Sequence, residues 1–148
     1  MIHFEGELCF PLPLSEVAAR LADAGYLVHS LPDVEVVSAT PEKAVWRMKP
    51  KVSFLSGTQT TEITRQSYTP ETEVVYTLVT RSIGGSVTVS TRLSLRRVDT
   101  GTQVNWSAEI AELTGLFKMV PAGLMKETAR KVIDDVWEAV RKRLLSST

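Results

Sequence analysis

The chain changes its hydrophobic period once, and that change limits what it can fold into. Up to Ile110 apolar residues recur mostly at every second position; after Gly115 they recur at steps of three and four. Period two marks strands with one buried face, and steps of three and four mark one face of a helix. A series of strands followed by one long amphipathic helix must lay the apolar stripe of the helix on the apolar face of the sheet. The expected class is therefore α+β.

Individual segments fill in this outline. Ile2, Phe4, Gly6, Leu8 and Phe10 alternate with His3, Glu5, Glu7 and Cys9, a half-buried strand that Pro11 and Pro13 end. Ser15 reads as the N-cap of a short helix running to about Asp23 and stopped by Gly25. A second helical turn is expected over Tyr26 to Ser30. Val34, Val36 and Val37 lead to a turn at Thr40-Pro41-Glu42-Lys43, and a strand over Ala44 to Lys49 follows. Residues 57–68 are Thr-rich and suit a solvent-facing strand. Val74 to Ser82 is the next strand, with turns at Pro70 and at Gly84-Gly85. Val87 to Arg96 alternates cleanly, Asp99-Thr100-Gly101 closes a hairpin, and Val104, Trp106, Ala108 and Ile110 repeat the pattern. Even spacing of strands and turns predicts an antiparallel meander. Leu116, Phe117, Met119 and Val120 form an apolar loop, and Pro121 fits the first turn of a helix reaching about Leu145. Its stripe is Met125, Ala129, Val132, Ile133, Val136, Trp137, Val140 and Leu144.

Composition removes several function classes. The 148 residues fit one domain, 1–148, long enough to bury about 70% of its extended-chain surface without a disulfide or metal. Net charge is zero, which argues against nucleic acid as the main partner. Residues 1–74 carry a net of −4 and residues 75–148 a net of +4, a mild polarity. The single Cys9 excludes an intramolecular disulfide, and no base can be named that would activate it. His3 and His29 stand in no metal-binding spacing, so no metal or cofactor is expected. Gly84-Gly85 leads into a strand, so it reads as a hairpin turn and not as a phosphate loop. The N-terminus lacks a signal sequence and no stretch is long enough to span a bilayer, so the cytoplasm is the expected compartment. The run Arg141-Lys142-Arg143 reads as solvated cations that complement a helix C-terminus.

The order of elements resembles the START-like (SRPBCC), helix-grip superfamily, in which a curved antiparallel sheet of about seven strands wraps a long C-terminal helix and two short helices follow the first strand. Particular residues resemble its carbon-monoxide-dehydrogenase G-subunit-like branch: Phe4-Glu5-Gly6, the helix after Pro11 and Pro13, Leu31-Pro32-Asp33-Val34, Gly57, Gly84-Gly85, Gly101-Thr102 with Val104 and Trp106, Gly115 and Pro121. Two departures stand out. Asp33 takes the place of the branch's usual glycine, and the chain ends at Thr148 without the membrane-anchoring tail of some members, so membrane contact is expected to be peripheral at most.

The resemblance implies a non-catalytic role: binding or carrying a hydrophobic small molecule or lipid between sheet and helix, with a molybdenum hydroxylase-type dehydrogenase as the implied partner. An apolar pocket between two apolar surfaces is the default ligand site. The candidate lining residues are Trp46, Met48, Tyr76, Leu78, Leu93 and Trp106 on the strands, with Met125, Ala129 and Val132 facing them from the helix. Tyr76 and Trp106 could offer a hydrogen bond to a polar head. Phe117, with Leu116 and Met119, could gate the entrance. Two alternatives stay open. A cyclase/aromatase-type enzyme would need proton-moving groups inside the cavity, and the inward set lacks a charged residue. An interaction module would instead have a filled core and an exposed apolar patch.

Overall fold

The computed structural model describes residues 2–49 and 57–146. Seven strands, β1 (Ile2–Phe10), β2 (Glu35–Ala39), β3 (Lys43–Met48), β4 (Gln59–Thr69), β5 (Glu73–Ser82), β6 (Gly85–Val98) and β7 (Gly101–Gly115), form one antiparallel sheet. Its order is β1-β7-β6-β5-β4-β3-β2, so β2 to β7 are a meander and β1 returns to pair with β7. Two short helices, α1 (Leu14–Leu21) and α2 (Ala24–Ser30), follow β1, and the long α3 (Ala122–Ser146) closes the described chain.

Register shifts at three places, between Val36 and Ser38, Arg65 and Ser67, and Thr88 and Val89, insert bulges that bend the strands. One face carries Phe4, Ala44, Trp46, Ile63, Val74, Tyr76, Leu93, Val104, Trp106, Ala108 and Ile110, all buried. Residues 57–68 depart from the solvent-facing expectation, because Thr61 and Ile63 are buried on this face, opposite Trp46 and Ala44 of β3. Cys9 takes the other parity and is exposed.

The two short helices also differ from the sequence reading. Ser15 does not cap α1; Pro13 occupies the cap position and offers no side-chain bond. Gly25 does not stop a helix but lies inside α2, whose N-cap is Asp23, accepting the Tyr26 N–H at 3.1 Å. The physical reason is a close approach. The Ala24 and Gly25 N–H groups, which no intrahelical carbonyl can take, bond the Pro41 and Thr40 carbonyls of the β2–β3 turn. At the following turn Asp33 adopts φ 58°, so the left-handed conformation that glycine favours is kept by a residue type that tolerates it.

The C-terminal end of α1 is satisfied by the sheet. Tyr76 donates its hydroxyl to the Leu21 carbonyl at 2.6 Å, and Arg65 Nη1 donates to the Ala22 carbonyl at 2.8 Å. Burial pushes the Tyr76 hydroxyl well above its ordinary pKa near 10, partly opposed by the nearby Arg65 charge. A raised folded-state pKa means that this contribution is complete below pH 10 and is lost as the pH climbs beyond it. Tyr76→Phe is expected to cost about 1–3 kcal/mol at neutral pH, because the buried Leu21 carbonyl loses its donor. The same variant should lose stability less steeply than wild type between pH 10 and 12, as read by urea denaturation. A variant as stable as wild type would show that water replaces the hydroxyl.

Candidate functional site

The site follows from how α3 sits on the sheet. Its backbone runs closest to β1 and to α2. On the β1 side Trp137 lies 6.3 Å from Trp106, ring centre to ring centre, and the Arg130 guanidinium lies 5.5 Å over Trp106. Gly6 faces Trp106 across the β1–β7 register, and a Cβ there would stand 2.7 Å from the indole ring. The glycine of Phe4-Glu5-Gly6 thus makes room for the indole.

The side of α3 turned away from β1 is different. An α-helix advances about 100° per residue, so Val132 and Val136 project within about 20° of Met125, on either side of it. Met125 is 5% exposed, yet Val132 is 50% and Val136 36% exposed. Midway along the helix Ala129, Ile133 and Trp137 pack against the core, while Val132 and Val136, on the side turned away from β1, are left uncovered. Tight packing is reached only toward the end of the stripe, at Val140 and Leu144; Val136, in the same half of the helix, is not enclosed.

The concave face shows the same division. Val74, Leu93, Leu95 and Val104 are buried at the end covered by α1, which packs on β6 and β7. Leu78, Val87, Val89 and Leu113 share that face and are only half-buried, toward the hairpin at 82–85. Both facing surfaces are apolar there, with one polar pair: the Thr61 and Thr80 hydroxyls are bonded at 2.9 Å.

The ten candidate residues divide accordingly. Trp46, Tyr76, Leu93, Trp106, Phe117 and Met125 are buried; Met48, Leu78 and Ala129 are partly buried; Val132 is exposed. Tyr76 is committed to the Leu21 carbonyl, so its hydroxyl is not offered to a ligand. The loop before α3 is a turn of 3-10 helix, Leu116–Met119, whose Phe117 is part of the core, while Leu116 and Met119 point outward. With Ile83 and Leu124, the exposed Leu116 and Met119 leave apolar surface at this end of the molecule.

A separate groove of about 520 Å³ lies outside the grip, between the start of β1 and the first turns of α3. It is lined by His3, Phe4, Glu5, Gly123, Lys126, Glu127 and Arg130, none of them a sequence candidate. Among the described residues no group of three His, Cys, Asp or Glu side chains could hold a metal ion.

Sequence reasoning missed three residues. Arg65 is a charged residue at a concave-face position, paired with Tyr76 in register, but it is tied to the Ala22 carbonyl and the Tyr68 ring. Arg143 is not simply a solvated cation. It donates to the Tyr26 carbonyl at 2.9 Å and lies 4.2 Å over the Tyr26 ring. Tyr26 is the third. A signal for Arg143 existed: it follows Met125 by five whole turns, which puts a cation on the apolar stripe.

A bent antiparallel sheet gripping a C-terminal helix, with two helices after the first strand, is the START-like, helix-grip fold. The chain superposes on a conserved protein from Geobacillus kaustophilus with a TM-score of 0.80 at 16% identity, covering 98% of this chain and 95% of that one. A START superfamily protein from Mycobacterium smegmatis gives a TM-score of 0.71 at 8% identity, covering 100% of both chains. No curated protein matches the chain. Residues 6–145 match the CoxG family, the G subunits of carbon monoxide dehydrogenase, and the chain belongs to that family. No helix among the described residues is long and apolar enough to cross a membrane.

Proposed function

We propose that the protein binds and carries a hydrophobic small molecule or lipid, without catalysis, in the cleft between the concave sheet face and α3. The observation that carries this reading is the exposure of Val132 and Val136 on the side of α3 turned away from β1. Leaving apolar surface in water is unfavourable by about 25 cal/mol per Å², and an apolar ligand would relieve it. The half-buried Leu78, Val87 and Val89 of the sheet support the same place. Met48, Leu78, Ala129 and Val132 would touch the ligand, with Trp46, Leu93, Trp106 and Met125 as the packed floor and Phe117 as the anchor of the adjoining turn. Membership of the CoxG family supports a role as carrier or assembly partner of a carbon-monoxide-dehydrogenase-like molybdenum hydroxylase, and the proposed setting is the cytoplasm with at most peripheral membrane contact.

The neutral fluorophore N-phenyl-1-naphthylamine is expected to bind saturably at about one per chain and to be displaced by long-chain lipids. Binding that never saturates, or displacement by no lipid, would remove the carrier reading.

A further inference from the structure

Four exposed apolar side chains gather at one end of the molecule: Ile83, Leu116, Met119 and Leu124. Ile83 is 89% exposed at the tip of the β5–β6 hairpin, and Met119 is 78% exposed at the end of the 3-10 turn that follows β7. The two tips are tied together. Gly85 pairs with Gly115 in the β6–β7 register, the Leu116 N–H donates to the Gly84 carbonyl at 2.6 Å, and the Leu116 side chain lies against Gly84. Phe117 is buried and fastens the turn to the core. Large apolar side chains held out in water by a well-fastened scaffold mark a contact surface.

The charges at this end have one sign. From Val74 to Val98 the chain has no acidic residue, and from Leu113 to Lys126 it has none either. Arg81 precedes Ile83 by two residues, Lys118 stands between Leu116 and Met119, and Lys126 follows Leu124 by two. All three cations are exposed, and none is in an ion pair among the described residues. The nearest acids in sequence, Glu112 and Glu127, bound the second segment from outside. The whole chain is neutral, so cations without acids are a property of this end and not of the protein at large.

We infer that this end docks on an anionic lipid bilayer. Ile83, Leu116, Met119 and Leu124 enter the boundary between headgroups and acyl chains, and Arg81, Lys118 and Lys126 rest among the lipid phosphates. Two observations select a bilayer over a protein partner. The apolar side chains stand on separate turns with cations between them; a fluid bilayer takes them as they stand, whereas a protein surface would need a shape matched to each. The half-buried Leu78, Val87, Val89 and Leu113 also continue the concave face toward these same tips, so docking sets the open end of the cleft against the apolar layer. The docking itself does not depend on what the cleft holds.

The test sediments the protein with vesicles of phosphatidylcholine alone, or with about 30% phosphatidylglycerol, at low salt and at about 0.5 M salt. Binding to the anionic vesicles should be at least about tenfold tighter, because each cation near such a surface contributes about a fivefold factor. High salt should erase that difference. Ile83→Ser and Met119→Ser should each weaken binding about tenfold at an unchanged melting temperature, since neither side chain is packed in the protein. Arg141→Ser removes a cation about 28 Å along α3 from its start and should bind as wild type. Equal binding to both vesicle types, undiminished binding of both apolar variants, or a loss in Arg141→Ser would overturn the docking surface. Absence of vesicle binding, together with a dimer that Ile83→Ser dissolves, would overturn it in favour of a second copy of the chain. The probe titration above reads the cleft alone, so its failure would defeat the carrier reading and not this one.

Discussion

Leu144→Ala is expected to lower the stability of the protein by about 2–5 kcal/mol, whereas Val132→Trp should change it by less than about 1 kcal/mol and abolish probe binding. Both residues belong to one apolar stripe of one helix, and periodicity alone does not separate them. Leu144 is fully enclosed, and truncating it removes both transfer energy and packing partners. Val132 is 50% exposed beside that packed arc, so a larger ring can enter space that no protein atom fills. Helix propensity differs little between valine and tryptophan and does not confuse the comparison. Urea denaturation of both variants, with a probe titration of Val132→Trp, decides the matter. If Val132→Trp costs the 1–3 kcal/mol or so typical of an overpacked core, the space beside this turn is closed. A filled-core interaction module would then describe the protein better.

Gly101→Ala is expected to cost about 3 kcal/mol or more, and to reach the point of poor folding. Gly101 starts β7 at φ 144°, a conformation that side-chain-bearing residues avoid, and an added methyl would overlap the Phe10 carbonyl oxygen and press on the Leu12 N–H. Backbone on both sides cannot yield without breaking the junction where β1 ends beside β7, where Thr102 donates to the Leu12 carbonyl at 2.8 Å. Gly123→Ala is the matched control. It lies near the start of α3 with nothing within 4 Å of the added carbon, and should be neutral or stabilising by up to about 1 kcal/mol. Thermal unfolding of the pair measures the contrast. A Gly101→Ala protein that melts near wild type would show that the β1–β7 junction relaxes at little cost.

Most of the architecture is legible in the sequence. Strand parity reads correctly in β1, in β6 and in β7, because a period of two assigns each residue to a face without knowledge of its neighbours. The length and stripe of α3 are legible for the same reason. The short helices are less so: Gly25 looks like a helix stop because the partners of its N–H, the carbonyls of the β2–β3 turn, lie far along the chain. The Thr-rich β4 misleads as well, since threonine suits both faces of a sheet and only the pairing with Trp46 and Thr80 turns Thr61 inward.

The sequence by itself thus determined the faces of β1, β6, β7 and α3, the order of the elements and the family to which the chain belongs. Tertiary structure alone decided what stands opposite each face. It gave the Tyr76 hydroxyl to a carbonyl 55 residues away and laid Arg143 on a tyrosine 117 residues away. It also left Val132 and Val136 uncovered within a stripe that covers Val140 and Leu144. The reason is that periodicity reports a residue's direction from its own backbone, while contact depends on how closely a straight helix can follow a bent sheet. The helix leans toward β1 and meets the sheet there, and the space left on its other side is where the ligand is proposed to bind.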